Sequence, residues 1–201
     1  ASESVASALT TPVGLVVSTD FNGDGKSDIL WRNSVSGDVG VWMMNGGTLA
    51  SSATVLAGVA SSWTIVDDAG DYGGDGKADI LWRNSNGDIA VAQMNGATIA
   101  SVGTMLSGVA PAWVINDGSG DYNGDGRSDI LWRNVNGDVF ASLMNGSTMT
   151  MGVALGNVAT NWVIGDGSGD YNADGHSDIV WRDPATGEVR ISLMSGSGVT
   201  A

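Results

Sequence analysis

Asp121-Tyr122-Asn123-Gly124-Asp125-Gly126-Arg127-Ser128-Asp129-Ile130-Leu131-Trp132-Arg133-Asn134 is the stretch from which the rest of the chain can be read. Its first nine residues carry side-chain oxygens at positions 1, 3, 5 and 9 and a glycine at position 6. The remainder is rich in strand-forming types and ends in a turn residue. The pattern recurs from Asp20, Asp71 and Asp170, so four copies begin 51, 50 and 49 residues apart. A period near fifty that runs almost end to end marks a repeat protein, not two ordinary domains.

Working outward from the loops, an apolar run precedes each one: residues 63–66, 113–116 and 162–165, with 12–15 an aberrant first copy. Behind each loop come an Ile-Leu-Trp-Arg strand, a third strand (39–44, 89–94, 139–144, 189–194) and a fourth, such as 48–57 or 98–107. Asn45-Gly46, Asn95-Gly96 and Asn145-Gly146 close the third strand. They predict two-residue hairpins in which Asn and Gly both take positive φ. Each unit is thus predicted to be a four-stranded antiparallel meander. Such a sheet cannot bury both apolar faces alone, and radial stacking gives a propeller. The predicted fold is all-β, a four-bladed β-propeller formed by residues 1–201 as one domain. Its units are 11–60, 61–110, 111–159, and 160–201 plus 1–10. The fourth unit runs out at Ser195-Gly196-Ser197-Gly198, and residues 2–9 are expected to complete its blade by clasping the termini. The alternative is that four units are half of a larger ring made by two chains; the monomer is preferred.

The formal charge is −14, and twelve of the 22 acidic residues are the loop aspartates. One divalent cation per loop would bring the charge to −6. Eight Lys and Arg cannot supply the basic footprint that nucleic acid requires, and an anionic membrane surface is disfavoured for the same reason. No apolar stretch approaches the ~20 residues that span a bilayer. With no cysteine, disulfides cannot staple the fold. The start at Ala1-Ser2-Glu3 has no basic region or apolar core, so any signal peptide is expected to be already removed.

Calcium takes six to eight oxygens, and a short loop wraps it when side-chain oxygens alternate with tight turns. Four copies favour that reading over plain surface turns. The donors are then Asp20, Asn22, Asp24 and Asp28; Asp71, Asp75 and Asp79; Asp121, Asn123, Asp125 and Asp129; and Asp170, Asn172, Asp174 and Asp178. Position 7 gives its main-chain carbonyl, from Lys26, Lys77, Arg127 and His176, so His176 reads as surface decoration. Gly73 stands at position 3 of the second loop, which loses one side-chain oxygen and is expected to be the weakest site. Position 12, where an EF-hand carries Glu, is Trp here, so these are not helix-loop-helix sites. Loops of this type fill where calcium is around millimolar, which favours a secreted or cell-surface location.

The nine-residue loop feeding an Ile-Leu strand resembles the FG-GAP repeat, also called VCBS, of integrin α-subunit propellers and secreted bacterial proteins. The resemblance implies that the loop joins the innermost strand of a blade to the second, that the calcium ligands are those above, and that the Trp63, Trp113 and Trp162 segments are inner strands. The Phe-Gly and Gly-Ala-Pro landmarks are missing here. Family lectins build sugar pockets between blades, while integrin-like propellers bind proteins across one face.

The function expected is a calcium-stabilised recognition module, lectin-like and carbohydrate-binding, with protein adhesion or a structural spacer as the alternative. Candidate ligand contacts are Trp63, Trp113, Trp162, Arg83 and Arg133, at the end opposite the loops. The competing reading makes the recurring Trp residues packing between blades and the Arg residues bridges to backbone carbonyls. The equivalent positions Gly40, Ala90, Phe140 and Arg190, like Trp42, Ala92, Ser142 and Ser192, vary freely, which predicts exposure. An enzyme is disfavoured by one His, no Cys and no Gly-x-Ser-x-Gly elbow. Asp67, Asp117 and Asp166, four residues before their loops, are candidate supports.

Overall fold

The computed structural model describes residues 19–196 and 198–200, and these form four antiparallel sheets with no helix among them. The first holds β1 (Ile29–Arg32), β2 (Val39–Asn45) and β3 (Thr48–Leu56). The second runs β4 (Trp63–Asp67), β5 (Ile80–Asn84), β6 (Ile89–Asn95) and β7 (Thr98–Leu106), in that order. The third repeats it with β8 (Trp113–Asp117), β9 (Ile130–Asn134), β10 (Asp138–Asn145) and β11 (Thr148–Asn157). The fourth has β12 (Val163–Asp166), β13 (Ile179–Arg182) and β14 (Val189–Ser192), after which Met194 bridges to Val199. Two sheets are therefore the expected four-stranded meander and two show three strands. The strand expected at 2–9 and the aberrant copy at 12–15 lie outside the described residues.

Each sheet is too apolar to stand alone, and its neighbours cover it. On the second sheet Ile80, Trp82, Ala90, Ala92 and Met94 pack against Val39, Val41 and Met43 of the first. The opposite face, with Leu81, Ile89 and Val91, packs against Ile130, Trp132 and Met144 of the third. Leu131, Val139, Ala141 and Leu143 of the third meet Ile179, Trp181 and Met194 of the fourth. Both faces of β5 and β9 are buried, which explains their unbroken Ile-Leu-Trp composition.

The Asn-Gly hairpins differ from expectation. Asn45, Asn95 and Asn145 are paired strand residues, and only the glycine after each has positive φ, near 61°. The two loop residues are Gly46-Gly47, Gly96-Ala97 and Gly146-Ser147, with glycine at the first central position as a type II′ turn requires. The cause is a bulge one residue earlier, between Met43 and Met44, Gln93 and Met94, and Leu143 and Met144.

The freely varying positions are not exposed as a class. Gly40, Ala90, Ala92 and Ser142 are buried. They vary because each answers to its own tryptophan: Ser142 and Ser192 accept from the indole Nε1 of Trp132 and Trp181 at 3.0 Å, whereas the Trp31 ring lies across Gly40. A similar exchange occurs at loop position 2. Tyr122 donates its hydroxyl to the Gly167 carbonyl at 2.6 Å, and a β-carbon on Gly118 or Gly167 would meet a tyrosine hydroxyl at 2.6 or 2.8 Å. At the first junction the equivalent residues are Phe21 and Asp68, one without the hydroxyl and the other with a side chain. Gly40→Ala should drive a methyl into the Trp31 ring and cost about 1–3 kcal/mol by overpacking, read as a lower urea midpoint at constant slope.

Candidate metal and ligand sites

Each loop is wound around the carboxylate at its first position. Asp20 accepts from the amides of Gly23 at 2.7 Å, Asp24 at 3.2 Å and Gly25 at 2.7 Å. Asp71 and Asp121 hold the equivalent three amides, and Asp170 those of Asp174 and Gly175. At position 3, Asn22, Asn123 and Asn172 accept from the amide of position 5 at 2.9–3.1 Å. The position-5 carboxylate is turned outward to the residue at position 7: Asp24 to Lys26 at 3.1 Å, Asp75 to Lys77 at 2.9 Å, Asp125 to Arg127 at 3.6 Å.

The ninth residue is buried in all four repeats and joins loop to hairpin. One carboxylate oxygen of Asp28, Asp79, Asp129 and Asp178 accepts from the amide of loop position 2 at 2.9–3.1 Å. The other accepts from Met44, Met94, Met144 and Met194 at 2.8–2.9 Å. These amides lie just past the last residue that pairs with the strand following the loop: Trp42, Ala92, Ser142 and Ser192 are the last such partners. Asp67, Asp117 and Asp166 stand just upstream and cap the turn that enters the loop, through Gly70, Gly120 and Ser168 amides respectively.

Among the described residues, no three acidic or histidine side chains converge as a ready-made cation cage. The donors nevertheless suit calcium, because all are hard oxygens. In the second loop the first and ninth carboxylates also face one point: the place a β-carbon on Gly73 would take lies 3.8 Å from Asp71 Oδ1 and 3.9 Å from Asp79 Oδ2. Rotation of the position-5 carboxylate away from its cation would add a third.

The loops are chained to one another. The position-8 amide of one repeat donates to the position-1 carbonyl of the repeat before it: Ala78 to Asp20 at 2.8 Å, Ser128 to Asp71 at 2.8 Å, Ser177 to Asp121 at 2.7 Å. Gly96 and Gly146 donate across the same junctions to Phe21 and Tyr72, both at 2.7 Å. Position 7 is not decorative. Lys77, Arg127 and His176 lie against Gly23, Gly74 and Gly124 of the preceding loop, and a β-carbon on Gly124 would come within 2.8 Å of His176 Cε1. His176 Nδ1 is buried without a partner there. Sequence reasoning missed this because the contact spans about one repeat length.

The arginines bind carbonyls at the junction with the next repeat. Arg32 donates to Trp63, Val59 and Ala60, Arg83 to Trp113 at 2.5 Å, and Arg133 to Val158 and Ala159 at 3.0 Å. The Arg32 and Arg133 guanidinium groups also lie over Trp82 and Trp181. Trp63 and Trp113 are half-buried, and Trp162 is buried with Arg190 stacked on it at 4.3 Å. Two clefts open between the second and third repeats and share Val109. One, of about 410 Å³, is walled by Ser61, Ser62, Thr64, Arg83, Asn84 and Ser85. The other, of about 250 Å³, is walled by Leu106, Trp113, Trp132, Phe140 and Ser142, with Trp113 and Phe140 edge to face at 6.2 Å. Because Trp63 pairs with Asn84 and β4 leads into the second loop, the first cleft lies at the end away from the calcium-type loops.

In comparison with known proteins, the FG-GAP-like repeat model matches residues 20–82 and again 71–132. No curated protein matches the chain.

Burial pushes the Asp79 carboxyl up to about 6 and that of Asp129 up to about 7, with the Met94 and Met144 amides pulling the other way. Asp28 is raised for the same reason, and burial beside Asp67 lifts Asp68 to about 6. In an unfolded chain such groups titrate near ~3.9. Between that value and the folded ones, the metal-free native state keeps protons that the unfolded chain has released, so stability falls as pH rises through the window. In excess chelator the melting temperature should drop from pH 5 to pH 7.5, and Asp68→Asn should flatten part of that slope. A melt that is level or rises over this range would contradict the assignment.

Proposed function

Because the chain belongs to the FG-GAP-like repeat family, whose repeats are found in extracellular adhesion and recognition modules, we propose that it is a secreted, calcium-stabilised propeller that binds carbohydrate. In this reading the four sheets close as a four-bladed ring in one chain. Calcium, when bound, would neutralise the loop aspartates and hold each bend between its first two strands. The residues that would hold it are those at positions 1, 3, 5 and 9 together with the carbonyl at 7. The first and ninth carboxylates supply the standing half of the cage, and position 5 closes it.

The observation that carries the carbohydrate reading is the adjoining pair of clefts between the second and third repeats. One offers hydroxyl and amide groups from Ser61, Ser62, Thr64 and Asn84; the other offers the faces and edges of Trp113 and Phe140. Sugars need both, hydrogen-bonding groups for hydroxyls and an apolar wall for C–H surfaces. Trp113 serves as wall, whereas Arg83 and Arg133, already bonded to carbonyls, serve to fix the loops that frame the clefts. Trp63 and Trp162 act as packing beneath neighbouring repeats. Protein adhesion is the second reading, favoured by Val35 and Val135, which stand 94% and 69% exposed on turns at the same end.

Two measurements test these readings. One site at 100 times its Kd adds about 2.7 kcal/mol, which is roughly 5–10 °C in a domain of this size, so excess chelator should lower the melting temperature by at least that much; an unchanged melt would refute calcium dependence. On a glycan array the calcium-loaded protein should bind, and Asn84→Ala with Phe140→Ala should abolish binding while the variant, destabilised because Phe140 packs on Trp113, still melts cooperatively and still gains stability from calcium. Silence on every glycan would reject carbohydrate in favour of a protein ligand.

A further inference from the structure

The second repeat departs from the pattern twice. It alone has glycine at loop position 3, where Asn22, Asn123 and Asn172 stand, and it alone has glutamine at the penultimate core position of its third strand, where Met43, Leu143 and Leu193 stand. The two departures are twenty residues apart in sequence but meet in space. A β-carbon on Gly73 would come within 2.7 Å of Gln93 Nε2, and Asp71 Oδ1 and Asp79 Oδ2 flank the same point. The Gln93 amide therefore occupies the volume that the asparagine side chain fills in the other loops. On its far side it is buttressed by Ser101, directly across the β6–β7 ladder, with 2.7 Å between Ser101 Oγ and Gln93 Oε1. A serine hydroxyl donates or accepts equally well, so the amide can turn over and present Oε1 to the loop while Nε2 donates to Ser101.

We propose that Gln93 is the missing oxygen donor of the second loop, delivered from β6 in place of the position-3 asparagine. The inference rests on the calcium reading above and deepens it. The second loop is then a complete site whose third donor comes from a different strand. Packing alone gives no reason for an amide here: the equivalent positions are filled by apolar side chains, and an amide at a half-buried position needs polar partners. Tethered to β6 through Ser101, the donor is also fixed to the hairpin, so the ion would brace the loop against the third strand directly.

The test is calcium titration of the calcium-free protein by calorimetry, with bound calcium counted by equilibrium dialysis. Gln93→Leu, which installs the residue found in the third and fourth repeats, should weaken one site by about tenfold or more and leave the others unaltered. Gly73→Asn combined with Gln93→Leu, which rebuilds the arrangement of the other loops, should restore it. In an Asp71→Asn background, Gln93→Leu should have no further effect on calcium uptake. Melting in excess chelator separates this role from packing, because the difference between wild type and Gln93→Leu should appear in calcium and shrink in chelator. Unchanged calcium affinities in Gln93→Leu, or no recovery in the double variant, overturn the inference while leaving calcium binding intact. No calcium uptake by the wild-type protein overturns both.

Discussion

The buried carboxylate at the ninth loop position is the constraint on which the rest depends. In every repeat its two oxygens take one amide from the loop and one from the end of the third strand, at 2.8–3.1 Å. Hydrogen bonds to a charged group contribute about 1.5–3 kcal/mol each, and the amides of Met44, Met94, Met144 and Met194 lie just past the end of the pairing with the strand that follows the loop. The shape of the loop and the end of the third strand are thus one unit. The cost is a carboxylate held away from water, as the raised titration of Asp79 and Asp129 records. A cation beside it is the most direct way to lower that cost.

Much of this was legible in the sequence. The period, the strands of each repeat and the loop positions follow from local patterns, and the sheets observed are those expected, save where the first and fourth show three strands. The hairpin type differs because Asn-Gly is a local signal, whereas the bulge that shifts it belongs to the register between the third and fourth strands. What the sequence could not convey is contact between repeats. Lys77 beside Gly23, His176 beside Gly124, and Arg83 bound to the Trp113 carbonyl each join residues 30 to 54 positions apart. No periodicity marks them, because both partners recur with the same period. Gln93 was passed over for the opposite reason: it breaks the repeat, and only geometry shows that Gly73 breaks it in the complementary sense.

Those paired departures form a class. Phe21 with Asp68 and Gly73 with Gln93 are each a loss on one element matched by a gain on a neighbouring one. Variation among the repeats therefore tracks volume and donor count at buried junctions, and exposure explains little of it. The cleft between the second and third repeats carries another such exchange, where Phe140 has no counterpart of its kind in the other units and its ring lies across Gly152.

The amide of Ala78, Ser128 or Ser177 always looks back to the carbonyl of the loop before it. This head-to-tail linkage gives the array a polarity, and each of the three joints among the described residues is made from the same main-chain groups whatever the side chains are. Duplicating or excising a whole unit would therefore create no unfamiliar seam. The number of units is left free by the joints themselves and must be set by the curvature that their side chains impose, which makes this architecture one that can lengthen by gene duplication before its surfaces diverge.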